Sequence, residues 1–236
     1  MQKNELFIMN NKILLVSVFL TIFIQGTLFS QKRLVPPHFN QIHLFGKIEV
    51  RLEPAAYDSV VIESGSFDVE NVQVAVEGGI LSVKLTSEFP SQIKVKTTIY
   101  YSELKHLEAG GGIKLYNKGA MQGSFVGIEA KSGSEFDLLI QLDSAQVLVN
   151  KGAFVRLTGT CPKVDLKTAT GGDYRATALQ NDTTFVKMNG GTAEVDVKLL
   201  LDADVRLGAS LKYKTLPKKM KKTEKLGGTI SQLEDF

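Results

Sequence analysis

Apolar and polar positions alternate from Leu107 to Tyr213 in a phrase that returns six times. Each return opens with an apolar residue, an outward residue, and a second apolar or small residue. The openings are Leu107-Glu108-Ala109, Ile128-Glu129-Ala130, Val147-Leu148-Val149, Leu166-Lys167-Thr168, Val186-Lys187-Met188 and Val205-Arg206-Leu207. A small-residue cluster follows each one: Gly110-Gly111-Gly112, Ser132-Gly133-Ser134, Asn150-Lys151-Gly152, Gly171-Gly172, Gly190-Gly191 and Gly208-Ala209-Ser210. The recurrence at about 20 residues is the spacing of stacked solenoid coils.

A period of two places successive side chains on opposite faces of a strand. The runs are too short for ordinary helices, and each Gly would weaken a helix by roughly 1 kcal/mol. One short strand cannot bury its apolar face, but stacking it on the next coil does. Leu107, Ile128, Val147, Leu166, Val186 and Val205 are thus predicted to form one internal column. Ala109, Ala130, Val149, Thr168, Met188 and Leu207 form the column beside it. The outward column between them reads Glu108, Glu129, Leu148, Lys167, Lys187, Arg206, grading from acidic to basic. It is a solvated face, with an electrostatic strip for a charged surface as its functional reading.

The stretch from His38 to Leu104 is less regular. Ile48–Leu52, Val72–Val76, Leu81–Leu85 and Ile93–Thr97 alternate, Val60-Val61-Ile62 is a further short run, and Glu77-Gly78-Gly79-Ile80 reads as a tight hairpin turn. These strands are expected to cap or begin the solenoid, because an open end would template edge pairing. After Lys214-Thr215-Leu216-Pro217 comes a basic cluster of Lys218, Lys219, Lys221, Lys222 and Lys225, expected to be a solvated loop over the open end. Gly227-Gly228-Thr229-Ile230 could return as one more strand.

At the N-terminus, Lys12 precedes an apolar run from Ile13 to Ile24, and Gln25 to Ser30 supplies a small-residue exit. This layout predicts a signal peptide over residues 1–30, cleaved near Ser30-Gln31, with Met1 or Met9 as the start. The run is short for a membrane span, so no transmembrane segment is expected after cleavage. Residues 31–236 then form a single domain, with 38–104 as an irregular β region and 105–213 as regular coils. The predicted location is periplasm, cell surface or medium.

Composition adds mainly exclusions. A formal net charge of +3 is too small to imply nucleic-acid binding. The single Cys161, before Pro162 at a predicted corner, excludes an internal disulfide framework. His38 and His43 lack zinc-ligand spacing, and His106 has no second ligand nearby in sequence. Asp202 and Asp204 resemble half a calcium site without its glycine-centred loop and read as turn residues. Asp137, Asp165, Asp173 and Glu194 fall at different coil phases, as if facing different sides, which argues against the grouped carboxylates of a polysaccharide-cleaving site. Phe136, Phe154 and Tyr174 recur at similar phase and read as stacked internal aromatics. No catalytic, cofactor-binding or metal-binding residue is assigned.

Several stretches resemble a known family. They are the exit peptide ending Ser30-Gln31, Phe45-Gly46-Lys47-Ile48-Glu49-Val50, Glu77-Gly78-Gly79-Ile80-Leu81-Ser82-Val83, and Leu104-Lys105-His106-Leu107-Glu108-Ala109-Gly110-Gly111. The family is the domain of unknown function labelled putative auto-transporter adhesin, head GIN domain, common in exported proteins of Bacteroidetes. The resemblance covers about residues 40 to 230. It implies a right-handed single-stranded β-helix and an adhesion role, and it carries no catalytic residues. At 236 residues the chain is too short to add a translocator barrel of its own.

The expected fold is therefore all-β, a right-handed single-stranded parallel β-helix with about six C-terminal coils and an irregular N-terminal β cap. A β-sandwich built from first-half hairpins is the runner-up. The expected function is a non-enzymatic exported binding or structural protein, an adhesin at the cell envelope whose partner is a glycan or cell-surface polymer. The alternatives are a polysaccharide-active enzyme on the same scaffold, or a stalk that self-associates through open coil ends.

Overall fold

The structure is a computed structural model that describes residues 30–64, 71–85 and 95–234. The expected signal segment, apart from Ser30, lies outside these residues, as do Ile93 and Lys94 of the run ending at Thr97.

Strands, numbered in chain order, stack into two facing ladders. The first runs β5 (Val72–Glu77), β6 (Ile80–Leu85), β2 (Gln41–Phe45), β8 (His106–Gly110), the latter part of β10 (Met121–Ala130), the latter part of β11 (Glu135–Val149), β13 (Lys163–Ala169), β15 (Thr183–Asn189), β17 (Leu200–Arg206) and β19 (Lys219–Lys225). The second runs β1 (Ser30–Leu34), β4 (Ser59–Ser64), β7 (Val95–Tyr101), β3 (Ile48–Pro54), β9 (Lys114–Asn117), the start of β11, β12 (Phe154–Thr160), β14 (Asp173–Gln180), β16 (Thr192–Val195), β18 (Ser210–Tyr213) and β20 (Thr229–Gln232). All pairings are parallel except β1–β4, β4–β7 and β5–β6. No α-helix appears among the described residues. The fold is a β-solenoid, and its parallel ladders leave no room for the sandwich alternative.

The core lies between the ladders. Leu107, Ile128, Val147, Leu166 and Val186 pair in register and are buried, as the repeat predicts. The second column, Ala109 to Met188, stacks as predicted too. The sixth opening is two residues out of register. Ala203 follows Val186, and Val205 follows Met188. Leu207 is 58% exposed with φ 54°. The reason is the corner chemistry. The turns of the regular coils from the first ladder into the second hold two successive residues with positive φ, as at Ser132-Gly133, Lys151-Gly152, Thr170-Gly171, Leu207-Gly208 and Leu226-Gly227. Bonds such as Ala153 N–H to Asn150 O (3.1 Å) and Ala209 N–H to Arg206 O (3.1 Å) close these as type I′ turns. Leu207 is the first corner residue, and only Gly208 behind it showed in the sequence.

The first half begins the solenoid. The chain lays down β2 and β3, then β4 to β7 place two strands on the far side of that coil. It returns with β8 and β9 on the near side. β2 is thereby flanked by β6 and β8, whose sequence positions are remote. The Glu77-Gly78-Gly79-Ile80 hairpin forms, with φ 58° and 78° at its glycines. Antiparallel β1 and β5 close this end.

The other end differs from expectation. From Lys219 onward the lysine cluster is not a loop but strand β19, and β20 completes a further coil. Lys222 and Glu224 occupy positions that are apolar in earlier coils, where they are paired with Ala203 and Val205. Lysines and inward-pointing charges on a terminal strand oppose edge-to-edge pairing, which speaks against the stalk alternative at this end.

Candidate functional site

The outer face of the second ladder carries a straight row of directly paired residues: Arg33, Val61, Thr98, Arg51, Tyr116, Asp137, Arg156, Arg175, Glu194 and Lys212. Five are cationic and two are carboxylates, so the row is net positive. Asp137 accepts two hydrogen bonds from Arg156, at 2.6 and 3.1 Å. Asp173 accepts one from Arg175 at 3.1 Å, and the Arg175 guanidinium lies 5.4 Å from the Phe154 ring centroid. These pairs are solvent-exposed and contribute little to stability; their consequence is a face of planar cations and aromatic rings.

Where β1, β4, β7 and β3 meet the 55–58 turn, the face sinks into an open groove of about 320 Å³. Gln31, Arg33, Arg51, Tyr57, Glu63 and Tyr100 line it, over Val61 and Thr98. Arg33 donates to the Tyr57 hydroxyl at 3.3 Å and lies 5.7 Å from its ring centroid. Arg51 pairs with Glu53 at 2.8 Å.

The turn holding Tyr57 is fixed by the buried Asp58. Its carboxylate accepts from the Ser102 N–H (2.7 Å), the Ser102 hydroxyl (2.9 Å) and the Phe39 N–H (3.3 Å), and it pairs with His38 Nδ1 at 2.7 Å. Burial pushes the Asp58 carboxyl up, but the bonds from Ser102, His38 and Phe39 outweigh it and hold the group below the usual carboxylate range.

Several sequence expectations change here. Asp137, Asp173 and Glu194 face the same side, on the second ladder, and only Asp165 lies on the first. Coil phase counted along the sequence leaves out the corner residues, so spacing alone does not report which ladder a carboxylate lies on. The three do not make an acid–base pair, since Arg156 and Arg175 engage Asp137 and Asp173. Phe136 and Tyr174 are internal, with Val155 stacked between them, whereas Phe154 is one residue out of phase and shares the outer face with Asp173. Asp202 and Asp204 lie within strand β17 rather than in a turn. Asp204 pairs with Arg206 and Asp202 with Lys221 at 3.5 Å. Cys161 is buried at its corner, its thiol pushed up to about 11 by burial, which leaves it a poor nucleophile.

The first ladder's outer column also changes. It reads Ser82, His43, Glu108, Glu129, Leu148, Lys167, Lys187, Asp204, Thr223. The basic end is closed by Asp204 rather than Arg206, so the acid-to-base gradient does not run the length of the axis. His106, expected to lack a second ligand, has two candidates beside it: Glu108 on the same strand and His43 across the β2–β8 pairing. The sequence hid this because His43 is 63 residues away and is brought in by the threading of the first half.

Solved structures share this fold. A putative adhesin from Bacteroides fragilis matches with a TM-score of 0.78 at 19% identity, over 88% of this chain and 98% of that one. A putative lipid binding protein from Parabacteroides distasonis gives 0.67 at 16% identity, over 89% and 98%. A putative adhesin from the same species gives 0.66 at 17% identity, over 88% and 98%. No curated protein matches. The family profile for the putative auto-transporter adhesin, head GIN domain, matches residues 38–217, and the chain belongs to that family.

Proposed function

We propose that this protein is an exported, non-catalytic binding protein with an adhesin-like role, and that it takes an extended glycan on the outer face of the second ladder. The observation that carries this reading is the groove. Two tyrosines, two arginines and Glu63 converge there, at the end of a net-positive row that goes on through Tyr116, Arg156 and Arg175, with the Phe154 ring beside Arg175. Tyrosine faces suit sugar rings, and guanidinium groups pair bidentately with the carboxylates or sulfates of acidic glycans. A solenoid presents such groups in line, matching the repeat of a polymer. Structural neighbours named as putative adhesins support a binding role. Export rests on the N-terminal layout; among the described residues, no helix is long and apolar enough to cross a membrane. The enzyme alternative is weakened by the arginine partners of Asp137 and Asp173, whose hydrogen bonds occupy the carboxylate oxygens.

A glycan array probed with the purified protein, followed by product analysis on every bound glycan, tests this. The expected result is binding of acidic glycans with no new reducing ends. Turnover of any bound polymer would overturn the reading, and so would an array with no bound glycan.

A further inference from the structure

On the opposite face, we propose that His43, His106 and Glu108 form a site for a borderline transition-metal ion, with Zn²⁺ as its natural occupant. Glu108 Oε2 lies 3.8 Å from His43 Nε2 and 4.0 Å from His106 Nε2, and one donor atom from each residue falls within 4.8 Å of the others. Ligands about 2.0–2.1 Å from a tetrahedral zinc ion lie roughly 3.3 Å apart, so small ring rotations close the set. Two imidazoles and one carboxylate suit this class of ion, with the solvent side left for water or a partner's ligand. All three side chains are a quarter to a third exposed, so an ion can reach them.

Three further features make this more than a chance surface pair. The β2–β8 register puts His43 directly opposite Glu108, so strand pairing fixes two ligands relative to each other. Lys131 bonds the other carboxylate oxygen, Oε1, and orients Oε2 toward the imidazoles, while Glu129 at 3.7 Å offsets the lysine charge. Gly127 is paired with His106 on the next coil, and a Cβ there would lie 2.7 Å from His106 Nδ1. Gly127 does not have positive φ, so its backbone does not call for glycine. The absent side chain makes room for the ring. His43 and His106 then meet edge to face with centroids 5.9 Å apart.

Isothermal titration of the full chain with Zn²⁺ and a Co²⁺ absorption spectrum test the site. One ion per chain is expected, with a Co²⁺ visible spectrum of low coordination number. His43→Ala, His106→Ala and Glu108→Gln should each weaken Zn²⁺ binding about tenfold or more. Gly127→Ala keeps every ligand yet should also weaken it by displacing His106. His38→Ala, which removes a histidine paired with Asp58 and outside the cluster, should leave it unchanged. Each variant is read beside its melting temperature, and any variant that melts early is replaced by the Gln form of the same histidine. Unchanged affinity in His43→Ala and His106→Ala, or no binding below millimolar Zn²⁺, would overturn the proposal.

Discussion

Val186→Asp is expected to destabilise the protein by about 4 kcal/mol or more, lowering Tm by roughly 10 °C. Val186 is 2% exposed and sits between Leu166 and Ala203 in the internal column. An aspartate there loses the valine's burial, and its carboxyl has no partner in an apolar stack. Lys187 is one residue away and points outward, between Lys167 and Asp204. Lys187→Asp should change stability by no more than about 0.5 kcal/mol. Thermal melts of the two variants side by side measure the contrast, and equal losses would mean that the inside and outside of the coil are wrongly assigned.

Asp58→Ala is expected to cost about 3–5 kcal/mol. It strands the buried Phe39 N–H and the Ser102 N–H and hydroxyl, whose bonds are half-buried; all three have the Asp58 carboxylate as acceptor. The pH dependence has a definite sign. The folded carboxyl titrates below its ordinary value, so its contribution is fully present above about pH 4, the unfolded value, and is lost as pH falls through the folded one. The stability gap between wild type and Asp58→Asn should therefore be full at pH 7 and pH 5 and shrink below about pH 4. Chemical denaturation at pH 7 and pH 3 checks it; an equal gap at both would contradict the account.

The coil architecture was legible because alternation and glycine recurrence report directly on strands and corners. Leu107 through Val186 stack as read. Register was lost at Leu207, because a leucine in the left-handed region carries no composition signal and the corner was placed at the glycine alone. The lysine run reads as loop in the sequence and is strand β19 in the structure, because hydropathy does not distinguish a solvated loop from a terminal strand with a charged outer edge. The sites were the least legible. Both the groove and the histidine cluster depend on β4–β7 doubling back past the first coil, a long-range threading that local periodicity does not encode. The groove's Tyr57 and Arg33 come from an irregular turn and an antiparallel strand, and neither belongs to the repeat.

The proposed binding face is tested most directly by titrating the tightest array glycan into wild type, the double variant Arg33→Ala/Tyr57→Ala, and Lys167→Ala on the opposite face. Arg33 and Tyr57 are exposed, so their loss should leave the fold intact. The account predicts at least about tenfold weaker binding for the groove variant, as expected for loss of an arginine and a tyrosine anchor, and wild-type affinity for Lys167→Ala. Wild-type affinity in the groove variant, or a matching loss in Lys167→Ala, would contradict it.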